Sequence, residues 1–360
     1  MTLALRMDEP ALAPGTSTYH TGRKHMPKLS FLLVVALVAS FSCVADAATI
    51  VKIGTLAPAD SLWAREFKKL AAAISSDTGG ELQLDFQWNG QAGDEALMVQ
   101  KIRTGQLDAA AVTALGLAQT GVQDILLFDL PGLFTSWEKL DAARDALKDE
   151  FTRLFEAKGF DVLGWGDVGA LKTMTVGFEV HHPSDLRGKG VFFLQGDPIQ
   201  PRVYAAIGGI TPRQLSLNEI LPNLEGGTIG VLVAPPLAAE QLQWTSRITH
   251  ISTETLAYGI GAFIASSARM QALPPRLKEV IERRGRESSE RLNKMVRKLD
   301  AQAYARLKAS KTAYSPSDAD RSEWKDLFVK VAAQLRGSVF TPSMFDRVVQ
   351  LAGNPLVPKY

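Results

Sequence analysis

Histidines, cysteines and paired carboxylates build most catalytic and metal sites, and this chain uses them sparingly. Of its five histidines, only His181, His182 and His250 lie beyond the first 47 residues. His181 and His182 are adjacent on a segment leading into Pro183, where neighbouring side chains point apart. The pair therefore reads as an exposed connector rather than a zinc site, whose ligand spacing converges on one ion. Asp94-Glu95 resembles an acid pair, but it opens a helical pattern, where the helix dipole favours acidic side chains. There is no Gly-x-Ser-x-Gly elbow, no phosphate-binding Gly-x-x-x-x-Gly-Lys-Ser/Thr loop and no His-Glu-x-x-His helix. Gly259-Ile260-Gly261 lacks the third glycine of a dinucleotide site. The expectation is a binding protein rather than an enzyme, with no metal and no cofactor.

Aromatic residues offer a different chemistry. Trp63, Trp88, Trp165 and Trp244 are spread along the chain, three of them beside predicted strand ends, where α/β sheets place their ligand crevices. Those tryptophans divide evenly between core and cleft as alternatives.

The elements that must position these residues alternate. Thr49 to Thr55 is rich in β-branched residues and reads as a buried strand. Asp60 or Ser61 caps a helix with Trp63, Phe67, Leu70 and Ile74 on one face. A strand with Leu82, Leu84 and Phe86 follows, then a Gly-rich turn from Asn89 to Gly93, a helix through Met98, Val99 and Ile102, and a strand over 109–112. Further along, the pattern predicts a helix over 137–158, short strands over 162–165, 191–194 and 230–233, and a helix over 201–207. Such alternation argues for an α/β sheet covered on both faces. Beyond Pro274-Pro275 the spacing of Leu277, Val280, Ile281, Leu292, Met295, Val296, Leu299 and Ala303 predicts a long helix, bent near Gly285. A shorter helix over 318–335 precedes a surface tail over 337–360.

The N-terminus carries an export signature. Arg23, Lys24 and Lys28 precede an uncharged apolar run from Leu29 to Ser42, and Ala45-Asp46-Ala47 reads as a cleavage site. The run is short for a bilayer, which needs about 20 apolar residues. Residues 1–47 are thus expected to be removed, with translation starting at Met1 or Met26. Ser40-Phe41-Ser42 fits poorly before a lipid-anchored Cys43, so no lipid anchor is expected. Cleavage leaves no cysteine, which excludes a disulfide framework or thiolate site. It removes four basic residues (Arg6, Arg23, Lys24, Lys28) and three acidic ones (Asp8, Glu9, Asp46), so a formal charge of +2 becomes +1. That balance does not recommend a nucleic-acid partner. The remaining length suggests two lobes.

One run is more specific: Trp88-Asn89-Gly90-Gln91-Ala92-Gly93-Asp94-Glu95, followed by Val99-Gln100-Lys101-Ile102-Arg103-Thr104-Gly105-Gln106-Leu107-Asp108. It resembles the N-terminal lobe of TRAP-type, DctP-like solute receptors. Phe128 to Phe134, Gly159 to Trp165, Asp185 to Lys189, and Gly208 to Pro212 leading to Asn218-Glu219 agree in order and spacing. The resemblance implies a two-lobed α/β periplasmic binding protein fold, its lobes joined by crossing strands and braced by the long C-terminal helix. Lobe I would comprise 48–170 with about 258–297, and lobe II about 171–257 with 298–336. It further implies a monomeric periplasmic receptor that closes on a small solute and hands it to TRAP-type membrane permease subunits or to a periplasmic helical accessory protein.

The departures from the family pattern concern the ligand. A family arginine that grips a ligand carboxylate with two parallel hydrogen bonds aligns with Phe192, and a second aligns with Leu171, beside Lys172. The later Gly-x-x-Asp-Gly-x-x-Asn-Pro segment runs here from Gly227 to Pro235, with Ala234 where the asparagine stands. The expected cleft is apolar and takes a hydrophobic or amphipathic solute. Its candidate residues are Phe192, Leu171, Trp165, Ala234, Val233, Trp88, Asn89, Trp63 and Lys172, with Phe193 assigned to the core. The alternatives are a carboxylate receptor whose charge comes from Lys172 or Arg202, and a non-transport periplasmic scaffold or sensor.

Overall fold

The computed structural model describes residues 48–353 together with Gly15. The export signature, Cys43 and residues 354–360 lie outside the described residues.

The chain opens with β1 (Thr49–Thr55), whose alternate residues Val51 and Ile53 are fully buried. Ser61 caps α1 (Leu62–Asp77), its hydroxyl accepting the Ala64 N–H at 3.2 Å. β2 (Leu82–Gln87) pairs parallel with one edge of β1; α2 (Glu95–Arg103) then leads to β3 (Ala109–Thr113), parallel to the other edge. Asp94 caps α2 by accepting the Leu97 N–H at 2.8 Å. A 3-10 segment (Gln123–Asp129) and α3 (Trp137–Glu156) bury Phe128, Phe151 and Phe155 in the main core.

β4 (Phe160–Thr175) is the spine of the molecule. From Phe160 to Leu171 it runs antiparallel to β9 (Ala257–Ser266), which also borders β3. From Lys172 to Thr175 it pairs instead with β7 (Val231–Ala234), and Met174 and Thr175 also pair with β8 (His250–Ser252). One strand thus belongs to both parts of an eight-stranded sheet, ordered β10 (Thr312–Tyr314), β8, β4, β9, β3, β1, β2, with β7 paired to β4 off that path. β5 (Phe192–Leu194) and β6 (Arg213–Leu215) form a separate parallel pair, with α4 (Gln200–Ile207) between them. α5 (Pro236–Gln241) follows β7. The fold is the two-lobed α/β architecture with crossing strands.

The short strand anticipated over 162–165 is 16 residues long. Gly164, Gly166 and Gly169 disguise it, because glycine weakens a strand pattern. Their role is close approach. A Cβ on Gly164 would stand 2.0 Å from the Ser289 hydroxyl, and one on Gly285 would stand 2.7 Å from the Leu163 carbonyl oxygen. α6 (Pro275–Ser310) runs 36 residues without a break, and Gly285 is where it presses against β4. β10 (Thr312–Tyr314) and α7 (Asp318–Leu335) follow.

The expected surface tail contains α8 (Pro342–Ala352), which buries Met344, Phe345, Val348 and Ala352 against the core. Their spacing is helical. Arg336 holds Asp346 with two hydrogen bonds of 2.7 and 2.6 Å.

α6 also ties down the crossover. Asn293, Arg297 and Asp300 stand on one helical face, at intervals of about four and three residues. Asn293 Nδ2 donates to the Trp165 carbonyl at 3.1 Å, and its Oδ1 accepts the Asp167 N–H at 2.8 Å. Arg297 Nε donates to Asp167 at 2.6 Å while its other nitrogens grip Asp141 at 2.7 Å. Asp300 accepts the N–H of Ala170 and of Leu237, both at 2.9 Å, joining β4 to the start of α5.

Candidate functional site

A cavity of about 360 Å³ lies beside the crossover, within the usual range for small-molecule sites. β1 supplies Thr55, α1 supplies Trp63 and Phe67, β3 supplies Val112, β4 supplies Leu171, and the second half supplies Phe192, Phe193, Val233, Ala234 and Trp244. At Leu171 and Lys172 of β4 the successive side chains take opposite faces.

Four of the expected site residues, Lys172, Trp165, Trp88 and Asn89, are not among the described lining residues. Leu171 faces the cavity, so Lys172 faces away: its Nζ donates to the Thr253 carbonyl at 2.7 Å and lies 4.4 Å from the centre of the Tyr304 ring. Burial pushes the Lys172 ammonium down to about 8. Gly164 and Gly166 line the cavity, and Trp165 between them turns toward Phe155, with ring centroids 6.0 Å apart. Trp88 stands one layer behind the wall, stacked 4.8 Å from Phe86 and 6.4 Å from Phe67. Asn89 holds a turn with positive φ (54°). Its side-chain oxygen accepts the Ala59 N–H at 3.3 Å, steadying the loop whose Ala57 and Pro58 do reach the cavity. Phe193, expected in the core, lines the cavity beside Phe192, as do Leu194 and Gln195 that follow it. Arg202 donates to the Pro198 carbonyl at 2.7 Å and is not among the lining residues.

His181 and His182 pair with carboxylates of Glu179 (2.6 Å) and Glu323 (2.9 Å), and among the described residues no group of side chains is arranged to hold a metal ion.

The polar lining is one-sided. None of the described lining residues is a lysine, arginine or histidine, whereas Asp94, Glu95, Asp129, Asp167 and Asp197 all contribute. Asp167 is neutralised by Arg144 at 2.7 Å and Arg297 at 2.6 Å. Asp94 is engaged as the α2 cap. Glu95 places one oxygen 2.6 Å from the Thr113 N–H and the other 2.7 Å from its hydroxyl, and burial still pushes its carboxyl up. Asp197 uses Oδ1 alone to accept the Ile199 and Gln200 N–H groups at 2.7 and 3.2 Å, and burial raises it too. Asp129 uses Oδ1 alone, accepting the Ile260 N–H at 3.2 Å; burial, reinforced by the charges of Asp197 and Glu95, pushes it up to about 8.

Compared with known protein families, residues 53–336 match the bacterial extracellular solute-binding proteins of family 7, the DctP family. The chain belongs to that family. Its family members include the C4-dicarboxylate-binding periplasmic protein DctP of Rhodobacter capsulatus, 22% identical over 272 residues, 74% of this chain and 80% of that protein. An uncharacterised protein, YiiZ of Salmonella typhimurium, is 25% identical over 162 residues, which span only 44% of this chain and 49% of YiiZ. Among solved structures, a TRAP periplasmic solute-binding protein from Ralstonia eutropha H16, with bound (S)-2-acetolactate, superposes with a TM-score of 0.78 at 18% identity, covering 84% of this chain and 98% of the other. The Rhodobacter protein and the Ralstonia structure are binding proteins, and no described helix of this chain is long and apolar enough to cross a membrane.

Asp129, Asp167 and Asp197 of the cavity wall were missed from sequence. Asp129 is the signal in plain view, a charge inside the apolar run Phe128 to Phe134. Asp197 carried no such mark, since a loop aspartate before a helix reads as a cap.

Proposed function

We propose that this chain is a TRAP-type periplasmic receptor that closes two lobes over an amphipathic or hydrophobic solute lacking a carboxylate. In this reading lobe I is 48–170 with about 258–297, lobe II is 171–257 with 298–336, and the exported chain begins at Ala48. The single observation that carries the ligand assignment is the absence of any cationic side chain from the described lining, at a cavity with several acidic ones. A carboxylate entering it would lose its hydration without a guanidinium or ammonium in return, at a cost of several kcal/mol. Apolar surface is favoured instead, at roughly 1.5–3 kcal/mol for each group of leucine or phenylalanine size.

A carboxylate ligand is favoured by the relatives, one binding C4-dicarboxylates and another holding acetolactate. Against it stand Phe192 and Leu171 in the cavity wall and Lys172 committed to Thr253. Delivery goes to TRAP permease subunits or to a helical accessory protein. The deciding experiment is mass spectrometry of the solute released from denatured, purified protein. An apolar or amphipathic compound agrees with the proposal; a dicarboxylate or sugar acid refutes it.

A further inference from the structure

We infer that the bound solute carries a cationic head, an ammonium or amidinium group, held between Asp129 of one lobe and Asp197 of the other. This deepens the proposed apolar receptor and rests on it. Both residues line the cavity, and both commit only Oδ1 to backbone N–H groups, so each Oδ2 has no hydrogen-bonding partner among the described residues. The other acids of the wall are placed differently: Asp167 is held by two guanidiniums, Glu95 uses both oxygens on Thr113, and Asp94, whose Oδ1 alone caps α2, stands in the same lobe as Asp129. Groups facing Asp129 are Glu95 at the start of α2, Asp197 before α4, and the Ile260 backbone of β9. Tyr204 of α4 lines the same space but donates its hydroxyl to the Phe192 carbonyl at 3.0 Å. No cation from the described lining faces the two aspartates.

A cation between the two aspartates would be attracted by both halves of the molecule, which is what a ligand must do to favour the closed state. Phe192, Phe193, Trp63 and Trp244 would surround the apolar remainder, and aromatic faces also attract cations. Asp129 holds its proton up to about pH 8 without ligand. Binding an ammonium therefore expels that proton to solvent and leaves an ion pair.

The test is calorimetric titration of the purified protein with three shape-matched probes: phenethylammonium, the neutral phenethyl alcohol and the anionic phenylacetate. Phenethylammonium is expected to bind at least tenfold more tightly than the alcohol. At pH 7 it should release close to one proton, read from the dependence of the heat on buffer ionisation. Its affinity should rise from pH 6 to pH 8, and Asp129→Asn should loosen it at least tenfold and abolish the proton release. Asp197→Asn provides a second variant should the first fold poorly. Equal or tighter binding of the alcohol overturns the cationic head while leaving the apolar receptor standing. Preferential binding of phenylacetate overturns both.

Discussion

At the scale of single residues, the position of a side chain on its strand decides whether it can touch a solute. Leu171 and Lys172 are neighbours, yet only Leu171 reaches the cavity. Lys172→Met is therefore expected to leave solute affinity within about twofold of the parent, measured by calorimetry; a tenfold loss would return Lys172 to the site. Phe192→Asp should abolish binding, because it removes a large apolar surface from the wall and puts in its place a group that resists burial against the apolar part of the solute. Asp129 makes a prediction about pH. Its carboxyl ionises near 8 in the folded chain and near 3.8 in the unfolded one. The unfolded state gives up the proton first, so the contribution falls as pH rises from about 4 to about 8 and is constant above. Asp129→Asn should raise the unsolvated protein's melting temperature at pH 8 more than at pH 5, by thermal denaturation. Phe192, Leu171 and Ala234 were legible only through the resemblance, which marks where family members place polar anchors. Asp129 and Asp197 were not, because their importance lies in having an unmatched oxygen, and hydrogen-bond partners cannot be read along a sequence.

At the scale of elements, helices with local signals were the most legible. Ser61, one of two candidate caps, is the one that caps α1, and Asp94 opens α2 where the pattern placed the helix start, because a helix start needs only the residues that follow it. The β4 strand was legible only in part, since three glycines hide a pattern that packing against α6 imposes. That close approach can be tested at Gly285. Helix propensity favours alanine there by about 1 kcal/mol, but the new methyl would sit 2.7 Å from the Leu163 carbonyl. Gly285→Ala is expected to lower stability in urea denaturation; a stabilised variant would show that α6 and β4 can separate freely. The Asp300 clamp makes a second claim. Asp300→Ala leaves the buried N–H groups of Ala170 and Leu237 without their acceptor, at about 1–3 kcal/mol for each unsatisfied group. The same denaturation series should show a loss of about 2–6 kcal/mol for the two together.

At the scale of the whole molecule, β4 carries both halves of the sheet, and α6 fastens it where its partners change from β9 to β7. A solute touching both sides of that junction shifts the population toward a closed form, which small-angle scattering would register as a smaller radius of gyration on binding. The alternating pattern made this architecture legible in outline, while the helical tail at Pro342–Ala352 escaped notice because its apolar face is short. The account turns on a cavity whose described lining offers acids and aromatics but no cation. A ligand present at a hundred times its dissociation constant stabilises a fold by about 2.7 kcal/mol, enough to move a melting temperature by several degrees. The most direct measurement is therefore a melting-temperature panel of the purified protein with succinate, acetolactate and a sugar acid beside apolar amines and alcohols. The account predicts that the carboxylates leave the transition unmoved while an apolar amine or alcohol raises it by several degrees; a rise of that size with any of the carboxylates would contradict it.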